Sequence, residues 1–162
     1  PVLMQNESLN TLLLETVMAV EPNIKRNHNE FVFHKLEQDI VIHTDGQKLK
    51  QILINLLGNA AKFTNKGIVE LATAVSEHET GEQMVIFSVN DTGIGIKEKF
   101  VPNLFKPFHQ DEFTKNRGGI RVGSGLGLAI SKHLAQLLGG DIIVQSELGT
   151  GSTFSLKIPL KN

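Results

Sequence analysis

The sequence predicts an α+β fold, in which a mixed β-sheet is covered by helices on one face. Segments with helical apolar spacing and short runs of β-branched residues occur together, but they do not alternate regularly as in a βαβ protein. The 162 residues, 40% of them hydrophobic, suit one domain with one core. We therefore expect residues 1–162 to form a single two-layer sandwich.

Three segments have the apolar spacing of amphipathic helices. In the first, Leu9–Val20, Ser8 is the expected N-cap and Pro22 marks the expected end. The second begins at Asp45 and continues to about residue 63. The third runs over 126–138 and ends at a pair of glycines, which are typical C-cap residues.

Short β-branched and apolar runs predict the strands. The expected strands are 31–33, 40–42, 68–76, 84–90, 141–146 and 153–159. Residues 78–82 suit a hairpin, and residues 97–103 a short helix. Residues 109–124 are polar, contain glycine and lack any period, so we expect a long loop of functional importance.

Composition argues against several functions. Sixteen basic and seventeen acidic residues give a net charge of −1, so we expect no general binding to nucleic acid or to a membrane surface. The absence of cysteine excludes disulfides and thiolate chemistry, and the scattered histidines do not predict a zinc site. Without a membrane-spanning run or a signal peptide, we expect a cytoplasmic domain. Because the chain starts at Pro1, we expect it to be part of a longer protein.

The second helix carries an unusual polar face. Asn55, Asn59 and Lys62 project from the side opposite its apolar stripe. A solvated face, the alternative interpretation, would favour Glu and Lys, because Asn is a poor helix former. Amide oxygens and an ammonium group on one line could instead hold a hard cation and its phosphates.

Two glycine-containing motifs follow. In the first, residues 91–96, a strand delivers the carboxylate of Asp91 to a Gly-rich turn, which suggests an acceptor for an exocyclic amine or, alternatively, an ordinary Asx-turn. In the second, residues 123–128, a glycine loop precedes the third helix and predicts an anion site. It is neither a dinucleotide fingerprint, because Leu128 replaces the third glycine, nor a Walker A loop.

In this order the motifs resemble those of the catalytic and ATP-binding domain of sensor histidine kinases. That family belongs to the superfamily with the Bergerat fold, which includes gyrase, the Hsp90 chaperone and MutL. The resembling segments are the N box at 45–64, the G1 box at 91–96, the F box at 104–108, the G2 box at 123–130 and the last glycine turn at 149–154. Gln110 and the segment Gly139-Gly140-Asp141 resemble the corresponding residues of hybrid-type histidine kinases.

The resemblance implies a role for each matching residue. Asn59 would ligate Mg²⁺, while Asn55 and Lys62 would be the catalytic residues that support the metal and pair with phosphate oxygens. Asp91 would accept a hydrogen bond from the adenine amino group. The other residues implied to contact ATP are Gly93, Gly95, Ile96, Phe108, Gly123, Gly125, Leu126, Gly127, Leu128 and Thr153.

The resemblance also implies how the domain works. The loop 109–124 would be the ATP lid, in which Arg117 and Arg121 either reach the γ-phosphate or stay solvated. Asn55 stands where the hydrolysing branch has a glutamate base, which favours transfer to a protein nucleophile over hydrolysis.

The implied partners lie outside the chain. They are a dimerisation and phosphoacceptor domain and the receiver domain of a response regulator. We expect a monomeric fragment that does not autophosphorylate, from a homodimeric parent that is a candidate membrane-anchored sensor.

Three alternatives remain. A serine/threonine kinase of the same fold would leave acid-stable phosphate on its partner. A nucleotide-sensing module would bind Mg-ATP without transfer. A purely structural domain would leave the polar helix face, the long loop and the Asp-Gly turn as separate coincidences.

Overall fold

The computed structural model describes residues 1–107 and 127–161. Its elements are β1 (Gln5–Ser8), α1 (Leu9–Arg26), β2 (Glu30–Phe33), β3 (Val41–Thr44), α2 (Gly46–Phe63), β4 (Ile68–Glu77), β5 (Gln83–Asp91), a 3₁₀ helix (Glu98–Asn103), α3 (Gly127–Leu137), β6 (Asp141–Glu147) and β7 (Gly151–Pro159). The predicted lid lies outside the described residues. None of the helices described is long and apolar enough to cross a membrane.

The main sheet has five strands in the order β2-β4-β5-β7-β6. Only β2 and β4 are parallel, and all other neighbours are antiparallel. The predicted hairpin joins β4 to β5, where the amide of His78 donates to the carbonyl of Glu82 at 2.8 Å. A separate antiparallel pair is formed by β1 and β3. This arrangement confirms the α+β class with a mixed sheet.

The helices cover one face of this sheet. The central helix, α2, contacts α1 on one side, α3 on the other, and β4 and β5 below it. Val85, Phe87 and Val89 alternate along β5 and are fully buried beneath the helices. The core therefore lies between the two layers, and α2 is its main helical contributor. The buried side chains of α2 are Leu49, Ile52, Leu53, Leu56, Leu57, Ala60 and Ala61.

The cap of α2 connects this helix to the start of the chain. Asp45 is the N-cap: its Oδ1 accepts from the amide of Lys48 at 3.2 Å, and its Oδ2 accepts from the amide of Leu3 at 2.9 Å. Burial acts to raise the pKa of Asp45, but these backbone donors and the Lys48 ammonium outweigh it and lower that pKa. The ionised carboxylate is therefore the form that the folded chain stabilises.

Two elements differ from the sequence prediction. Pro22 does not end α1, because the helix continues to Arg26 with the exposed Pro22 inside it. Beyond the proline, Ile24 is fully buried, and we attribute the continuation to this burial, which offsets a cost of about 3 kcal/mol for an interior proline. The polar strand β1 has no apolar alternation to reveal it, and it exists through its pairing with β3.

The end of α3 follows the prediction. Gly139 has a φ of +84°, and its amide donates to the carbonyl of Gln136 at 3.0 Å. The amide of Gly140 donates to the carbonyl of Ala135 at 2.9 Å, which completes a Schellman motif. The two glycines thus turn the chain directly into β6.

Replacing Asp45 by Asn should weaken the fold most at neutral pH. A carboxylate with a lowered pKa stabilises the native state above its ordinary pKa of 3.8, and this stabilisation disappears as the pH falls through the lowered value. We expect Asp45→Asn to lower the free energy of unfolding by about 1 kcal/mol at pH 7. Urea unfolding at pH 7 and pH 3 should show that the difference from wild type shrinks in acid. The exposed Glu37→Gln is the control, and a difference that stayed constant with pH would contradict this account.

Candidate functional site

The polar face of α2 lies where the sequence predicts it. Asn55 and Asn59 are half-buried one turn apart, and Lys62 is exposed near the end of the helix. None of the carboxylates in the described ranges forms an ion pair with Lys62. Two amides and an ammonium group therefore line the same side of the helix, away from the core stripe.

A hydrogen bond joins this face to α3. The Nδ2 of Asn55 donates to the Oγ of Ser131 at 3.1 Å, and Ser131 is fully buried. Because the amide nitrogen is used in this bond, the amide oxygen of Asn55 is the atom left to accept or to coordinate. The same bond fixes the first turns of α3 beside α2.

The carboxylate of Asp91 stands at the end of β5 on the helix-covered face. It continues the alternation of the buried side chains of that strand, and it is half-buried. Its Oδ1 accepts from the amide of Gly93 at 3.0 Å. The Asx-turn considered from the sequence is therefore present, and it orients a carboxylate next to α2.

The glycines after Asp91 permit close packing. A Cβ atom on Gly93 would overlap the carbonyl oxygen of Phe63, and one on Gly95, where φ is +70°, would overlap the carbonyl oxygen of Glu147. The amide of Ile94 donates to the carbonyl of Phe63 at 3.3 Å. The loop is thus pressed between the end of α2 and the turn joining β6 to β7.

Ile96 contributes to the core rather than to the loop surface. Its side chain is buried, and its amide donates to the Oγ of Ser146 at 2.8 Å. This bond anchors the loop to β6.

Thr153 lies apart from Asp91. Its Oγ1 donates to the Oδ1 of Asn90 at 2.7 Å, and the Nδ2 of Asn90 donates to the Oε1 of Glu70 at 3.0 Å on the face without helices. A hydrogen bond with His34, which follows β2, is the main cause that lowers the pKa of Glu70. The structure does not bring Thr153 together with Asp91.

The neighbour of Asp91 on the helix-covered face is Ser152. It pairs with Asp91 in the ladder of β5 and β7, and it is buried. Alternation counted back from Phe154 and Leu156, which are buried on the same face, is the signal that would have found it.

Only part of the predicted phosphate site lies among the residues that the structure describes. Gly127 is the first residue of α3 and is exposed, and Leu128 is partly buried against the core. Phe108, Gly123, Gly125, Leu126, Arg117 and Arg121 lie outside the described residues.

The F box is anchored on the sheet. Phe105 packs edge-to-face on Phe154 with ring centroids 6.3 Å apart. The Nζ of Lys132 lies 4.9 Å from the centroid of Phe105 and 2.7 Å from the Oδ1 of Asp141. These contacts fix the segment just before residue 108 against β7 and α3.

Comparison with known proteins identifies the family. The model of the histidine kinase-, DNA gyrase B- and HSP90-like ATPases matches residues 44–162. The chain belongs to this ATPase family. The match includes the polar face of α2, the Asp91 loop and α3, so it spans every segment of the candidate site.

Relatives within the family are histidine kinases. The chain is 36% identical over 153 residues to hybrid signal transduction histidine kinase B of Dictyostelium discoideum, which covers 94% of this chain and 8% of that protein. It is 42% identical over 132 residues to the autoinducer 2 sensor kinase/phosphatase LuxQ of Vibrio vulnificus, covering 80% of this chain and 15% of that protein. The chain thus spans a small part of these relatives.

Solved structures agree with this assignment. Full-length ShkA in complex with AMPPNP matches with a TM-score of 0.80 and 31% identity, over 98% of this chain and 31% of that one. The nucleotide-free catalytic domain of histidine kinase ThkA matches with a TM-score of 0.78 and 26% identity, over 99% of both chains. The predicted resemblance to histidine kinase catalytic domains and the predicted fold are both confirmed.

The bond between Asn55 and Ser131 should contribute measurably to stability. In a double-mutant cycle of Asn55→Ala and Ser131→Ala, we expect a coupling energy of about 0.5–1.5 kcal/mol from urea unfolding, because the bond is partly buried. A second cycle pairs Asn55→Ala with Gln136→Ala, which is exposed further along α3, and it should be additive. Equal coupling in both cycles would show that the bond does not link the helices specifically.

Proposed function

We propose that this chain binds Mg-ATP and, in its parent protein, donates the γ-phosphoryl group to a histidine of a dimerisation and phosphoacceptor domain in two-component signalling. The observation that carries the proposal is the meeting of three elements at one end of the helical layer. Asn55 of α2 bonds to α3, and the carbonyl of Phe63 at the end of α2 bonds to the loop after Asp91. Polar groups for the metal, the phosphates and the base thereby come from adjacent elements.

Asp91 would recognise the base of the nucleotide. A carboxylate only accepts hydrogen bonds, so it suits the exocyclic amine of adenine and not the carbonyl of guanine. The bond from the Gly93 amide holds this carboxylate in one orientation. The membership of the ATPase family supports the same nucleotide.

The phosphate end would be held by α2. The amide oxygen of Asn59 is a hard, neutral ligand of the kind that suits Mg²⁺, and Asn55 would support the metal and the phosphates one turn earlier. Bound there, the ion would neutralise charge on the phosphates. The exposed ammonium of Lys62 would supply a second positive charge, and we assign the remaining contacts to Gly127 and to the lid.

The amide at position 55 favours transfer over hydrolysis. An amide does not take a proton from water at neutral pH, so this position offers no general base. An imidazole needs none to attack, because its unprotonated nitrogen already carries a lone pair. The bond between the γ-phosphorus and its bridging oxygen breaks, a phosphorus–nitrogen bond forms, and ADP leaves.

The parent protein would supply what this domain lacks. We propose that residues 1–162 act as one catalytic domain and that the acceptor histidine and a receiver domain belong to other parts of the system. The hybrid kinase among the relatives supports this organisation. A homodimeric parent would present the acceptor, while the domain by itself would be monomeric.

Nucleotide titration tests the binding half of the proposal. We expect the wild-type chain to bind an ATP analogue with Mg²⁺ and to discriminate against GTP in calorimetry. Asn59→Ala should weaken Mg-nucleotide binding by about tenfold or more, because a metal ligand is lost, whereas Asp91→Asn should lose adenine selectivity.

The control for this titration is Asn23→Ala, at an exposed position of α1. It should bind as wild type does. If Asn59→Ala matched the control, the metal assignment would fail, and undiminished adenine selectivity in Asp91→Asn would remove the base assignment.

Labelled ATP tests the transfer half. The chain alone should acquire no label, and addition of a dimerisation domain with its acceptor histidine should give acid-labile phosphohistidine. Acid-stable label on the partner would indicate a serine or threonine kinase, and the absence of label from every partner would indicate a nucleotide-sensing module.

A further inference from the structure

The turn after α1 holds the C-terminal end of α2. The Nδ2 of Asn27 donates to the carbonyl of Ala61, and the Nδ2 of Asn29 donates to the carbonyl of Thr64, both at 2.8 Å. Carbonyls at the end of a helix have no partner within the helix, so side chains from elsewhere must satisfy them. Here a distant segment of the chain provides two such caps.

Asn29 uses both ends of its amide. While Nδ2 donates to Thr64, the Oδ1 of Asn29 accepts from the amide of Gly67 at 3.0 Å. Asn29 is only 5% exposed, so these bonds form with little competition from water. The amide of Glu30 also donates to the carbonyl of Gly67 at 2.8 Å. The buried side-chain amide of Asn29 therefore bonds to both ends of the connection 64–67 between α2 and β4.

This connection and Ile68, the first residue of β4, are in direct contact with the loop that follows Asp91. The amide of Ile68 donates to the Oγ1 of Thr92 at 2.9 Å, and the amide of Thr92 donates back to the carbonyl of Ile68 at 3.0 Å. A Cβ atom on Gly93 would lie 2.7 Å from the Oγ1 of Thr64. With so little space between them, the loop and the connection must move together.

Backbone strain occurs both in the turn after α1 and in the connection 64–67. His28 has a φ of +61° and Lys66 a φ of +56°, and neither is glycine. L-residues avoid this region unless surrounding contacts hold them there. Lys66 is held by the bond from its amide to the carbonyl of Asn27 at 3.1 Å. The geometry of the connection is thus imposed by the turn at 27–29.

We infer that Asn29 is a positioning residue of the nucleotide site. It acts through the connection 64–67 to hold the loop after Asp91, and with it the Asp91 carboxylate, in the arrangement that accepts the base, and it does not touch the ligand. The inference rests on the proposed function, since the site it positions is the adenine site. The amide offers both the donor for Thr64 and the acceptor for Gly67, whereas an ionised aspartate at neutral pH keeps only the bond from Gly67 and alanine keeps neither.

The test is titration of the whole 162-residue chain with an ATP analogue and Mg²⁺, well below the unfolding temperature. Asn29→Asp should weaken binding by at least about threefold to tenfold, because it loses one hydrogen bond and also places a buried charge against the Thr64 carbonyl. Asn29→Ala should weaken binding as well, because it loses both bonds. If one of the two Asn29 variants does not fold, the other decides the outcome, because each removes the bond to the Thr64 carbonyl.

Two controls separate positioning from stability. Asn23→Ala removes an exposed amide from α1 and should bind as wild type. Ile158→Val lowers stability in the buried core at the end of β7 far from Asp91, and it should also bind as wild type. In nuclear magnetic resonance spectra of the unliganded chain, the amides of Thr92 and Ile94 should shift in the Asn29 variants and stay in place in both controls.

The outcomes distinguish this inference from the proposed function. If the wild type binds and the Asn29 variants bind equally well, the inference is overturned and the proposed function stands. If Ile158→Val loses as much affinity as Asn29→Asp, the loss reflects stability, and the positioning role is overturned. If the wild type does not bind Mg-nucleotide at all, the proposed function fails and the inference fails with it.

Discussion

Helix α2 is held at both ends by hydrogen bonds from other parts of the chain, and the rest of the structure depends on that constraint. Asp45 caps its start and binds the amide of Leu3, while Asn27 and Asn29 cap carbonyls at its end. Between these caps, one side of the helix is fully buried on the sheet. The caps thereby fix the direction in which the opposite, polar side of α2 points. Apolar contacts alone would not fix that direction.

The candidate site follows from the central place of α2. Because α2 lies between α1 and α3, a single amide at Asn55 can reach Ser131, and the carbonyl of Phe63 can reach the loop after Asp91. The alternation of the strands then decides which polar groups belong to the site. Asp91 faces the helices, whereas the adjacent Asn90 bonds to Glu70 on the other face. A shift of the strand register by one residue would place Asn90 on the helix-covered face and Asp91 on the other.

Much of this could be predicted from local pattern. The helical spacing, the Asp45 cap and the paired glycines after α3 are decided by residues near one another in sequence, and the structure has them where they are expected. The failures depend on distant contacts. Pro22 stays inside α1 while Ile24 beyond it is fully buried, and β1 exists because β3 pairs with it. Thr153 is a different case, because the local alternation of β7 already places its side chain on the face opposite Asp91.

The sequence by itself determined the fold class, the order of the motifs and the family, because each is written in apolar periodicity and in motif residues that stay close along the chain. Only the tertiary structure decided how those motifs are held. Asn29 carries no recognisable motif, yet it bonds across 35 and 38 residues of sequence to the connection beside Asp91. Such bonds depend on the packing of α1 against α2, and packing across a domain leaves no local pattern to read.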